Sequence, residues 1–326
     1  MQHQTKVGVL RGGPSNEYEV SLKSGAAVLN VLNNHHFDTY IGKDIFIDRK
    51  GIWHKDGLPL RPEQAINSVD IVFNALHGAY GEDGKVQSLL EDLGKPFTGS
   101  GSLGSSIGMN KILAKGIFKT HGLKTPIFKS FSSENIIDNV EAVTAELFQT
   151  FHMPAIVKPV KSGSSVGVTL VKYYNELPNA LLEAAKHDDT VMIEEFISGV
   201  EATCAVIDGF RGQELYALPP VEIRPVNSFF DYEAKYAGKS IEIVPATFSV
   251  ELKKSIEESA RNIHRALGLR HYSRSDFIVH PRRGIYVLEV NTLPGLTDES
   301  LLPKALRAIG SDTHELVGHL LSLCEN

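Results

Sequence analysis

Cysteine is scarce. The 326 residues hold two, Cys204 and Cys324, far apart in the chain, so neither a disulfide framework nor a Cys-based zinc site is encoded. A basic block is missing too: the formal net charge is −6 and charges of both signs are interspersed, which excludes the electrostatic footprint of a nucleic-acid binder. No apolar run approaches the ~20 residues that span a bilayer. Residues 1–10 lack the charged and apolar halves of a secretory signal. The thirteen histidines show no metal-ligand spacing, and repeats and low-complexity tracts are lacking. What is present, 42% hydrophobic and 22% charged, is ordinary for a globular protein. A soluble cytoplasmic enzyme is expected, with two or three domains of roughly 100–200 residues each.

From Lys6 to about Gly99 the pattern alternates strand and helix. Lys6–Leu10 reads as a buried strand entering the Gly12-Gly13 turn, Val20–Asn33 as a helix, Val69–Leu76 as a second buried strand and Glu82–Leu93 as its helix. Strands separated by helices indicate a parallel sheet. Beyond Ser100 the texture changes. A helix over Leu103–His121 precedes strands Ala155–Lys158 and Val166–Lys172, which flank a Ser/Gly loop and predict an antiparallel hairpin. Helix Glu176–His187 leads to strand Val191–Phe196. The last third carries strands near Cys204–Ile207, Phe277–His280 and Ile285–Val290, with helices over Glu251–Leu267, Leu301–Ala308 and Thr313–Leu323. Boundaries fall near residues 100 and 195.

Three segments carry candidate chemistry. Lys158 to Gly167 (KPVKSGSSVG) combines a strand-borne lysine with small residues whose backbone N–H groups can converge on an anion. Alone, such a loop is equally well a solvated turn, and it is not a Walker A loop because no Gly-Lys-Ser/Thr opens a helix. Asp276, Glu289 and Asn291 stand at neighbouring strand ends; two carboxylates and a carboxamide are hard oxygen ligands suited to Mg²⁺ shared with nucleotide phosphates. Glu194 and Glu201 flank a strand exit, where they can meet an adenine amino group and ribose hydroxyls. Gly12-Gly13 does not continue as a dinucleotide loop, since the G-x-G-x-x-G spacing fails.

In this order, Lys158 with Gly-Ser-Ser-Val-Gly, Ile-Glu-Glu-Phe-Ile-x-Gly-x-Glu from Ile193, Arg274-x-Asp276 and Glu289-x-Asn291 resemble the ATP-grasp superfamily. Gly12-Gly13-Pro14-Ser15-Asn16-Glu17, His77-Gly78 with Gly81-Glu82-Asp83-Gly84, and Asp231-Tyr232-Glu233-Ala234-Lys235-Tyr236 narrow the resemblance to the D-alanine–D-alanine ligase family, over about Lys6 to Leu321. The resemblance implies a mixed α/β and α+β, three-domain ATP-grasp architecture: an N-terminal parallel-sheet domain (1–100), a central subdomain (101–195) and a C-terminal catalytic domain (196–326), with ATP held between the last two. It implies Lys111, Lys158, Ser165, Glu194, Ile197 and Glu201 at ATP, and Asp276, Glu289 and Asn291 at two Mg²⁺ or Mn²⁺ ions, with room for K⁺. Glu17, Ser164, Arg274, Tyr236 and Gly295 would be catalytic, and His77, Lys235 and Ser300 would bind D-alanine. Phe229–Gly238 matches a closing ω-loop. A homodimer acting on ATP and D-alanine, without nucleic acid or membrane, is the implied assembly.

The chain departs from the family's common pattern at four places: Asn110 stands for an aspartate, Ser162 for a glutamate, Phe230 for a tyrosine and Glu299 for a histidine. None of them is a proposed metal ligand. D-serine as second substrate stays open, whereas an ATP-grasp ligase with different acids would share the nucleotide residues but need not keep Glu17, His77 or Tyr236.

Overall fold

The computed structural model describes residues 4–34, 39–225 and 240–325. Among these residues the chain builds three sheets. The first contains β1 (Thr5–Gly12), β2 (Tyr40–Ile47), β3 (Trp53–Lys55), β4 (Leu58–Leu60) and β5 (Ile71–Asn74) in the order β4-β3-β2-β1-β5. β1 pairs in parallel with β2 and β5, whereas β2, β3 and β4 form an antiparallel meander. The parallel sheet expected from the sequence is thus its three-strand centre. Side chains alternate between two covered faces, as a buried parallel strand requires. Val7, Val9 and Phe73 meet α1 (Tyr18–Asn34); Leu10, Ile45 and Val72 meet α2 (Pro62–Ile66) and α3 (Lys85–Asp92).

The single helix expected over Leu103–His121 is two, α4 (Ser102–Met109) and α5 (Lys111–Thr120). Asn110 separates them with φ −86° and ψ 100°. Its side-chain oxygen accepts from the N–H of Ile112 at 3.1 Å and of Leu113 at 3.2 Å. Asparagine is among the strongest N-caps, so a new helix starting here is favoured over continuation of the old one.

The second sheet holds β6 (Phe128–Ser132), β7 (Ala155–Pro159), β8 (Thr169–Val171) and β9 (Thr190–Glu195), all antiparallel in the order β6-β9-β7-β8. Helices α6 (Ser133–Thr150) and α7 (Leu177–Ala185) cover one face, burying Val157, Val191 and Ile193 against Ile136, Leu147 and Leu181. The expected hairpin forms, but its second arm starts at Thr169 rather than Val166. Ser164, Ser165 and Gly167 have φ of 47°, 59° and 71°, so the chain cannot resume extended pairing earlier.

The third sheet runs β13 (Ser240–Ile243), β12 (Val221–Pro225), β10 (Val200–Asp208), β14 (Tyr272–His280), β15 (Gly284–Asn291), with β11 (Leu215–Ala217) also on β10. Helix α8 (Val250–Ala266) and α5 bury Ala202, Cys204, Phe277 and Val287 on one face. A bulge opposite the Asp276/Phe277 step leaves Leu288 as the extra residue of β15. It allows Val287 to point to the core while Glu289, two positions on, lines the opposite side. Finally α9 (Leu301–Arg307) and α10 (Thr313–Ser322) return to the first sheet, where Leu302, Leu306, Leu316 and Leu320 share a core with Val7, Val9 and Val28. Among the described residues no helix is long and apolar enough to cross a membrane.

Replacing Asn110 by Ala removes the cap of α5 and should lower stability by about 1 kcal/mol, read as a shifted urea midpoint with an unchanged slope. An unchanged midpoint would show that the break needs no cap.

Candidate active site

The uncovered faces of the second and third sheets enclose a cleft of about 1090 Å³, closed at one end by loops of the first unit. Strand alternation decides what enters it. On β7 and β9 the residues between the core positions, Ile156, Lys158 and Glu194, point into the cleft. On β14 and β15, Asp276 pairs directly with Glu289, and Arg274 with Asn291. Every sequence-predicted site residue among those described lines this one space: Glu17, His77, Lys111, Lys158, Ser164, Ser165, Glu194, Ile197, Glu201, Arg274, Asp276, Glu289, Asn291, Gly295 and Ser300. Lys235, Tyr236 and the segment Phe229–Gly238 lie outside the described residues.

The cleft is organised by opposite charges. The Arg274 guanidinium grips Asp276 with two bonds of 2.9 Å, and Thr203 donates to the same carboxylate at 2.7 Å. Burial works against the Arg274 charge, but Asp276, Glu289 and Glu82 more than offset it and its pKa is raised. The Lys111 ammonium stands 3.4 Å from Glu289 and donates to the Ser162 carbonyl at 2.8 Å. Burial alone would push Glu289 up; Lys111 and Lys158 outweigh it and hold the carboxyl at about 2. Asn291 turns its oxygen to the Leu293 N–H at 2.9 Å.

Glu194 sits in surroundings the sequence did not suggest. One carboxylate oxygen accepts from Lys158 at 2.5 Å, and the other lies 3.0 Å from Lys115, whose side chain is wholly buried. Lys115 also donates to Thr125 at 2.7 Å. Burial brings its pKa down to about 8 even with Glu194 opposing, while the two lysines outweigh burial at Glu194 and lower its pKa. Sequence reasoning passed over Lys115, although it stands one turn after Lys111 on the same helical face. Thr203, two residues after Glu201 on β10, was missed as well, and alternation along that strand would have found it.

At the closed end, Glu17 lies between two glycines. A Cβ at Gly78 or Gly163 would come within 2.6 or 2.8 Å of Glu17 Oε2, and Gly78 also has a φ of 70°, which favours glycine. Ser164 donates its hydroxyl to Glu17 Oε1, joining the serine loop to the first unit. His77 is buried and hydrogen-bonded to Ser24 Oγ at 2.8 Å. Burial pushes its ring down to about 4, with Arg274 adding and the Leu293 carbonyl opposing, so it is neutral at physiological pH.

Among the described residues no three His, Cys, Asp or Glu side chains cluster as a metal cage. Two carboxylates and a carboxamide instead fit Mg²⁺, which takes one or two protein carboxylates and fills its remaining positions with water and phosphate oxygens. The ionised Glu289 and the fixed Asp276 supply the hard donors.

Comparison with known proteins is consistent along the chain. Residues 117–322 match the family described as D-ala D-ala ligase C-terminus, and residues 57–100 the D-ala D-ala ligase N-terminus. A D-alanine–D-alanine ligase of Geobacter sulfurreducens is 41% identical over 98% of this chain and 94% of its own. One from Halalkalibacterium halodurans is 41% identical, covering 98% of both. Among solved structures, the VanG D-Ala:D-Ser ligase from Enterococcus faecalis superposes with a TM-score of 0.85 at 33% identity, covering 99% of this chain and 100% of that one. The D-alanine–D-alanine ligase from Coxiella burnetii gives 0.82 at 28%, covering 98% and 94%.

Glu194→Gln leaves the Lys115 and Lys158 ammonium groups buried without their counter-charge and should cost about 3–5 kcal/mol. Lys115→Met keeps the Lys158–Glu194 pair and should cost clearly less. Urea midpoints of the two variants compare them, and equal losses would contradict the charge assignment.

Proposed function

The chain belongs to the D-alanine–D-alanine ligase family, and from that premise we propose that it uses ATP to join two D-alanine molecules into D-alanyl-D-alanine for cell-wall peptidoglycan. Its architecture is that of the ATP-grasp enzymes. The observation that carries the reading is the shared cleft: three cations, Lys111, Lys158 and Arg274, line it together with Asp276, Glu289 and Asn291, and with Glu17 and His77.

A carboxylate does not react with an amine unaided, because it is resonance-stabilised and offers a poor leaving group. In the first step an oxygen of the first D-alanine's carboxylate attacks the γ-phosphorus of ATP; the bond to the β-phosphate oxygen breaks, giving an acyl phosphate and ADP. In the second step the amine of another D-alanine attacks the acyl carbon, phosphate departs with the bonding pair, and the amine loses a proton. Glu17 would hold the ammonium of the first D-alanine. Lys111, Lys158 and the backbone and hydroxyls of Ser164 and Ser165 would receive the phosphates, with Ile197, Glu194 and Glu201 at the nucleoside end. Arg274 and the Gly295 N–H would face the tetrahedral oxyanion, where each fixed donor is typically worth about 2.7–4 kcal/mol. Asp276, Glu289 and Asn291 would hold two Mg²⁺ or Mn²⁺ ions, which neutralise charge on the transferring phosphoryl group. Ser300, with Lys235 and Tyr236, is assigned to the second D-alanine. Tyr236 is also assigned, with Ser164 and Glu17, to a hydrogen-bond relay at the amine. Excluding water protects the acyl phosphate.

The same reading includes a homodimer in the cytoplasm and a role for K⁺, checked by light scattering and by omitting the cation. The D-Ala:D-Ser ligase at 33% identity keeps D-serine as the comparison substrate, while relatives at 41% are D-alanine–D-alanine ligases.

Protein supplied with ATP, Mg²⁺ and D-alanine should release phosphate and yield D-alanyl-D-alanine by mass, with little product from L-alanine or with D-serine as second substrate. Absence of D-alanine-dependent phosphate release would overturn the assignment. Glu289→Gln should lose turnover while keeping its circular dichroism, and full activity in that variant would refute the metal role.

A further inference from the structure

The segment that carries Gly295 leaves β15 at Asn291 and enters α9 at Leu301, and it is held mainly from outside its own sheet. The Leu293 N–H is shared between Asn291 Oδ1 at 2.9 Å and Glu82 Oε1 at 3.1 Å. The Leu296 N–H reaches Ser24 Oγ at 3.3 Å, and Ser24 is the partner of His77 Nε2 at 2.8 Å. Leu293 and Leu296 are buried in the core shared with the first sheet. Gly295 is therefore bracketed by two anchored residues, and those anchors belong to the first unit.

Glu82 is the member suited to set this bracket. Its other oxygen, Oε2, accepts from the Gly78 N–H at 2.7 Å, while its own N–H donates to the Gly78 carbonyl at 2.8 Å. One carboxyl group thus ties the His77–Gly78 turn, which borders Glu17, to the Gly295 segment 211 positions away. The side chain is buried and lines the cleft. Burial, with the Glu17 charge adding, pushes this carboxyl up to about 8 against the Gly78 and Leu293 N–H groups. In either protonation state it offers both donors an acceptor oxygen, where a carboxamide offers one.

We propose that Glu82, backed by the His77–Ser24 pair, is a positioning residue that sets the Gly295 N–H for the second step of the reaction. The proposal rests on the ligase reading above. It places the larger effect on formation of the tetrahedral adduct and a smaller one on phosphoryl transfer, because Lys111 and Lys158 do not bond to Glu82, whereas the His77–Gly78 turn that it holds borders Glu17. The same brace couples the pocket of the first D-alanine to the oxyanion donor, so a misfilled pocket would misplace the donor.

The two steps can be separated in Glu82→Gln. Positional isotope exchange in ATP labelled at the β–γ bridge, with D-alanine present, reports reversible acyl-phosphate formation; dipeptide measured by mass reports the second step. Exchange should fall by only a few-fold while dipeptide formation falls by roughly 10- to 100-fold, the scale of a small misplacement of a reacting group. ADP released per dipeptide should rise as the acyl phosphate is lost to water. Equal loss in both steps, or no loss in either, would overturn the proposal. Should Glu82→Gln fail to fold by circular dichroism, Ser24→Ala, which removes the Leu296 anchor, must show the same split in a milder form, and an unsplit result there overturns it equally. Wild-type protein without D-alanine-dependent exchange would instead refute the ligase reading itself.

Discussion

Two lysines one helical turn apart hold the two jaws of the cleft in register. Lys111 and Lys115 project from the same face of α5. The first reaches Glu289 on the third sheet and the second reaches Glu194 on the second sheet. Helix α5 is itself buried against the third sheet through Ala114 and Phe118. One rigid element therefore sets the distance between a residue assigned to the nucleoside and one assigned to metal. In so confined a space the pairs matter less for net stability than for geometry, since desolvation offsets much of their attraction. A nucleotide would compete for Lys111 and Lys158 against acids already fixed in place.

The first unit contributes more than the residues assigned to the first D-alanine. Its Glu17 receives Ser164 from the serine loop, and its Glu82, His77 and Ser24 hold the Gly295 segment. Helices α9 and α10, at the far end of the chain, bury their leucines against β1 and α1. The unit is thus joined to the third sheet by a hydrophobic core on one side and by hydrogen bonds on the other. An oxyanion donor profits from such double attachment, because its value depends on being fixed before charge develops.

Much of this was readable in advance where one local rule dominates. The buried strand at Lys6–Leu10, the helix after it and the hairpin at Ala155 follow from apolar periodicity and turn residues. The cleft residues were found through motifs whose spacing matches a family, and the described ones converge in one place. Boundaries failed where a single side chain overrode the pattern. Asn110 cut a periodic helix in two by capping, and the left-handed serines at 164 and 165 shortened the following strand. The meander β2-β3-β4 and strand β6 escaped notice because short, half-polar strands carry little periodicity and form through pairing with neighbours already in place.

The sequence by itself determined which chemical groups are available, which family they resemble and which stretches alternate as strand or helix, because those properties depend on residue type and local spacing. Only the tertiary structure decided which oxygen faces which nitrogen. Glu194, read along the chain as a contact for adenine, is enclosed by Lys115 and Lys158, and Glu82, read as the first residue of a helix, reaches a backbone N–H in the last third of the protein. Such partners are set by how sheets stack and loops return, and no periodicity along one strand encodes a distance to another.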